Sequence, residues 1–72
     1  MNLNEIVILS DCGDVLGYLK NKIRYLQGRN IDSNEVELIL KELEVNGLQI
    51  TLCMYRDRNI AILISRLKTL LT

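Results

Sequence analysis

The side chains best equipped for chemistry in this chain stand close together: Asp11, Cys12 and Asp14. Cys12 falls near the start of an expected helix. The positive end of a helix dipole lowers a thiol's pKa and makes it a better nucleophile. Ser or Cys nucleophiles need a neighbouring base, ordinarily His, and the chain has no His. Zinc sites want about four Cys or His ligands, and Cys12 and Cys53 are the only ones here. The four Gly, at positions 13, 17, 28 and 47, form no glycine-rich phosphate loop. The sequence therefore predicts no enzyme: no catalytic residue, no cofactor and no metal. A thiol function at Cys12 is a distant third reading.

Residues 8–16 resemble the strand end that carries the catalytic aspartates of haloacid dehalogenase-type phosphatases. That family sets its two Asp closer together than Asp11 and Asp14, and this chain lacks room for the rest of such a site. Both Asp read as turn and cap residues.

The elements that must position these residues follow from the apolar pattern. Residues 5–10 carry the β-branched run Ile6, Val7 and Ile8, which favours a short strand over a helical turn. Residues 10–14 read as a turn leading into a helix cap. A first helix is expected over 14–27, with Val15, Leu16, Leu19, Ile23 and Leu26 on one face and Gly28 as its stop. A second is expected over 33–46, capped by Asp32 and striped by Val36, Ile39, Leu40 and Leu43, with Gly47 ending it. Residues 49–55 alternate, with Ile50, Leu52 and Met54 on one side and Thr51, Cys53 and Tyr55 on the other. A polar turn, 56–59, and the apolar run 60–64 complete an expected β-hairpin. Ser65 would cap a short last helix carrying Leu67, Leu70 and Leu71. The expected fold is α+β: one domain over 1–72, two amphipathic helices packed on a hairpin, and a short C-terminal helix. An N-terminal strand would extend the hairpin to a three-stranded antiparallel sheet.

Composition sets the other bounds. Leu, Ile and Val number 14, 9 and 4 of 72 residues, too many for a disordered tail. Lys plus Arg and Asp plus Glu are nine each, so no net charge draws the chain to nucleic acid or to an acidic membrane. No segment approaches the roughly 20 apolar residues of a membrane span. The start of the chain lacks a basic region, and its apolar run 6–9 is shorter than a secretory signal needs. These features predict a cytoplasmic protein with both Cys reduced and buried. A domain this small is marginal without disulfides, metal or oligomerisation, which leaves oligomerisation.

The second hairpin strand is apolar on both faces, Ile60, Ile62 and Ile64 against Ala61 and Leu63, so something must cover its second face. A second copy or another protein is the expected cover. The candidate interface is Tyr55, Ile60, Ile62, Ile64, Leu67, Leu70 and Leu71. Ile62→Asp is accordingly expected to unfold or dissociate the protein.

Residues 33–64 resemble the last helix and wing of a winged-helix domain, with Leu40-Lys-Glu-Leu-Glu-Val-Asn-Gly-Leu48 as the helix end and Arg56 and Arg58 at the wing tip. The resemblance implies an alternative function, a nucleic-acid-binding transcriptional regulator using Lys20, Lys22, Arg24, Arg29, Arg56 and Arg58. Tyr18, Lys22, Tyr25 and Arg29 add a stripe of interleaved aromatics and cations of the kind that stacks bases. The helix that would enter a groove carries four Glu against one Lys, which phosphate repels. The basic first helix and acidic second helix can instead pair with each other, Lys20 or Arg24 with Glu42 or Glu44. The favoured reading is a small regulatory or assembly protein that acts by protein–protein interaction.

Overall fold

A computed structural model describes residues 7–71, and they form four helices: α1 (Cys12–Leu26), α2 (Ser33–Val45), α3 (Gly47–Arg56) and α4 (Arg58–Leu71). Among the described residues there is no strand, so the expected α+β fold is corrected to all-α. Of the strand expected over 5–10, positions 5 and 6 lie outside the described residues, and 7–10 have no regular structure.

The first two helices follow their sequence signals. The Asp11 carboxylate accepts the Asp14 N–H at 2.8 Å and opens α1, satisfying one of the donors a helix start leaves free. Ser10 donates its N–H and hydroxyl back to Asp14. These two bonds hold the exposed Asp14 carboxyl below the usual carboxylate range. Gly28 adopts φ +74° just beyond the α1 terminus, a conformation that favours glycine. Asp32 then caps α2 by accepting the Asn34 N–H at 3.0 Å.

The chain departs from expectation at Asn46. Gly47 does not take a left-handed turn. It is the first residue of α3, and Asn46 alone makes the break, with φ −96° and ψ 16°. Its buried side chain does the work of a longer loop. Nδ2 donates to the Glu42 carbonyl at 2.8 Å and the Val7 carbonyl at 2.9 Å, and Oδ1 accepts the Leu9 N–H at 2.8 Å. One residue thus satisfies an end carbonyl of α2 and pins residues 7–9 to the α2–α3 corner. Asn46→Ala leaves the buried Leu9 N–H without its partner. It is expected to lower unfolding free energy by about 2–3 kcal/mol. Urea denaturation checks this, and a midpoint within error of wild type would show the corner is held otherwise.

The expected hairpin is two helices for a similar reason. Asp57 is the only residue between α3 and α4. Its backbone leaves the helical region, and its carboxylate accepts the Asn59 N–H at 2.9 Å, starting α4. The polar stretch 56–59 does break the chain, but as a cap. Arg56 and Arg58 therefore end α3 and begin α4, with no wing between them. The short helix expected from Ser65 is the second half of α4.

Packing explains why helices win over β-branched propensity. Ile60, Ile64 and Leu67 fall at helical spacing and are buried against Val15, Leu19, Ile23 and Leu26 of α1. α1 and α4 make the most extensive contact in the molecule. α3 lies across both with Ile50 and Cys53 inward. α2 contributes only Ile39 and Glu42 to the buried interior.

A disulfide joins Cys12, at the first turn of α1, to the fully buried Cys53 of α3, with 5.5 Å between Cα atoms. The expectation of two reduced thiols is corrected: neither Cys is free. The bond occupies Cys12, the one candidate nucleophile.

Candidate interaction surface

The residues expected to form an interface divide between core and surface. Ile60, Ile64 and Leu67 are buried inside the chain, and Leu70 and Leu71 are half-buried against the same core. Ile60, Ile64 and Leu67 cover α1 and are not available to a partner, whereas Leu70 and Leu71 keep part of their surface exposed. In a strand Ile60, Ile62 and Ile64 would share a face; in α4 Ile62 points away from the other two and is 48 % exposed. Ile62→Asp is therefore expected to change stability by less than about 0.5 kcal/mol, as surface substitutions do. Tyr55 remains at the surface, 86 % exposed.

Tyr55 belongs to a larger apolar face. α3 has one charged residue in ten, Arg56. Its inner side carries Ile50 and Cys53. Leu48, Leu52 and Tyr55, spaced by four and three residues, line the opposite side and are 78 %, 51 % and 86 % exposed. Thr51, also on the outside, turns its hydroxyl back to the Gly47 carbonyl at 2.8 Å. The face thus presents no charge and few free polar groups. Leu48 and Leu52 were missed because an alternating strand puts Leu52 on the side opposite Tyr55. Helical spacing through 48, 52 and 55 was the signal that could have found them.

This face is held firmly from behind. The disulfide fixes the middle of α3 to α1, Asn46 fixes its N-terminal end, and Ile50 packs into the core. A rigid surface loses little freedom on docking.

The basic residues also separate. Tyr18, Lys22 and Tyr25 share a face of α1, whereas Arg29 lies beyond its end, and both cations turn to tyrosine rings. Lys22 Nζ lies 5.5 Å from the Tyr18 ring centre, and the Arg29 guanidinium 4.1 Å from that of Tyr25. The Tyr25 hydroxyl donates to Glu35 at 2.5 Å, tying α1 to α2. Lys22, Tyr25 and Glu35 line a groove of about 400 Å³ between the two helices. Lys20 and Arg24 sit on another side of α1, facing α4. Arg56 and Arg58 flank the α3–α4 junction.

The expected pairing of Glu42 with Lys20 or Arg24 is not made. Glu42 is 4 % exposed and lies beside Tyr18, and neither Glu42 Oε2 nor the Tyr18 hydroxyl has an aligned hydrogen-bond partner. Burial, then the adjoining Glu42 carboxylate, push the Tyr18 phenol far above its ordinary range. In the unfolded chain Tyr18 ionises near pH 10, whereas folded Tyr18 stays protonated. The folded state then holds the extra proton, so stability falls as pH rises above about 10, by up to about 1.4 kcal/mol per unit. Tyr18→Phe should flatten that fall between pH 9 and 11 in urea titrations. Parallel curves for the two proteins would refute the assignment.

Among the described residues no three His, Cys, Asp or Glu gather as a metal site, and no helix is long and apolar enough to cross a membrane. The chain matches no protein family, curated protein or solved structure.

Proposed function

We propose that this chain works by protein–protein contact, as a small assembly or regulatory module without catalysis of its own, and that it self-associates through the outward face of α3. The observation that carries this reading is the uncharged apolar face of Leu48, Leu52 and Tyr55 on a helix already packed on its other side. Interface centres are depleted in charge and enriched in Tyr and large apolar groups.

A second copy fits this face better than a charged partner. The chain has no net charge to attract one. α3 spans 47–56, so an antiparallel twofold through its middle sets Leu48 against Tyr55 of the second copy and brings the two Leu52 together. The same symmetry brings Glu44, exposed where α2 runs into α3, toward Arg56 at the far end of the partner helix. Parallel pairing would instead oppose Arg56 to itself.

A cytoplasmic setting keeps thiols reduced. Persistence of the Cys12–Cys53 bond there rests on shelter: Cys53 is fully buried, so an attacking thiolate meets only the Cys12 side.

Sedimentation equilibrium of the full chain tests the reading. A dimer is expected at micromolar concentration. Leu52→Glu should weaken it at least about a hundredfold, because both copies lose a central side chain, with helicity unchanged by circular dichroism. Arg56→Glu should weaken it, and adding Glu44→Arg should restore it. A monomer at high micromolar concentration removes self-association.

A further inference from the structure

A second surface carries a different chemistry. Lys20 and Arg24 of α1 and Arg66 of α4 line one groove of about 320 Å³, floored by Ile23 and Leu63 and edged by Gln27. No acid lines it. After Asp14, α1 has no Asp or Glu, and α4 has none at all. Among the described residues none of the three cations has an ion-pair or hydrogen-bond partner. The acids of the chain lie elsewhere, four of them on α2. Zero net charge therefore hides a locally positive groove. Three cations drawn to one place repel each other, and an anion of matching charge relieves that repulsion.

We infer that the α1–α4 groove is a binding site for a small organic phosphate carrying two or more negative charges. Two guanidinium forks, one from each wall, suit the oxygens of a phosphate group, and Lys20 adds a point charge. The apolar floor of Ile23 and Leu63 gives the organic part a surface to lie on, and the Gln27 amide supplies a neutral donor and acceptor. A nucleic-acid strand is a poorer fit. Its phosphates need cations spread along a track, and the neighbouring Lys22 and Arg29 sit over tyrosine rings, Lys22 in the α1–α2 groove and Arg29 beyond the end of α1. This inference is independent of self-association, because the α3 face contributes nothing to the groove.

Titration of the full chain with ADP, with inorganic pyrophosphate and with a short random-sequence DNA duplex, followed by amide chemical shifts, tests it. Pyrophosphate should give saturable shifts confined to Lys20, Arg24, Gln27 and Arg66, and ADP should move these together with the floor residues Ile23 and Leu63. Arg24→Gln with Arg66→Gln should weaken ADP at least about tenfold, since each removes a charged hydrogen-bond donor. Lys22→Gln should leave it within about twofold, as a change outside the groove does. Shifts that never saturate, or that scatter over every Lys and Arg, would overturn the site. Tighter binding of the duplex than of ADP would overturn the small-ligand assignment in favour of nucleic acid.

Discussion

Loss of the Cys12–Cys53 bond is expected to remove at least about a third of the stability of this chain. The bond closes a loop of 41 residues, and in the chain-entropy account a loop of that length contributes about 4 kcal/mol at 25 °C. A domain of this size has roughly 4–11 kcal/mol in total, at the usual stability per residue. The effect should be uneven. α1 and α4 keep their extensive contact, whereas α3 is left with Ile50 and the Asn46 corner, and α2 reaches the core mainly through α3 and Ile39. Reduction should therefore speed hydrogen exchange in α2 and α3 before α1 and α4. It should also weaken the proposed self-association, because the α3 face loses its rigid backing. Urea denaturation with and without a phosphine reductant, beside the Cys12→Ala, Cys53→Ala double variant, measures the size. Equal midpoints for oxidised and reduced chains would mean that packing alone holds α3.

The sequence was legible where one signal had one meaning. Asp32 caps α2 and Gly28 takes a positive φ because those residue types do little else at those positions. The second half misled because two periods fit it. Ile50, Leu52 and Met54 alternate as a strand does, while α3 is apolar on both sides, so its helical stripe does not stand out. Asn46-Gly47 reads as a stop with a left-handed glycine, and in the structure the Asn makes the break while the Gly begins a helix. The five apolar residues 60–64 are too short to separate the two periods. Extending the pattern to Leu67 and Leu71 would have favoured the helix. Tyr55 is expected at the interface as part of the hairpin; it is exposed in the structure, but on a helix and beside Leu48 and Leu52. The disulfide was not legible, since the pairing of two distant Cys depends on the fold that brings them to 5.5 Å.

Ile60→Asp and Ile62→Asp together separate the two folds. Ile60 is fully buried in contact with the α1–α4 core, and Ile62 is half-exposed on the other side of the same helix. An aspartate at 60 either ionises without a partner in an apolar interior or stays protonated there, and each course costs several kcal/mol. It also removes a large aliphatic side chain from a packed site, and truncating such a residue adds about 2–5 kcal/mol. The sum reaches the whole stability expected for a domain of this size, so Ile60→Asp should yield an unfolded chain at room temperature by circular dichroism. Ile62→Asp should melt within a few degrees of wild type, because its side chain leaves water on neither side of the change. A hairpin would put 60 and 62 on one face and make the two variants fail alike. Equal damage from both would return residues 49–64 to strands and take the α3 docking face with it. Unequal damage, with 60 lethal and 62 mild, ties the helical register of α4 to the same core that holds α3 outward.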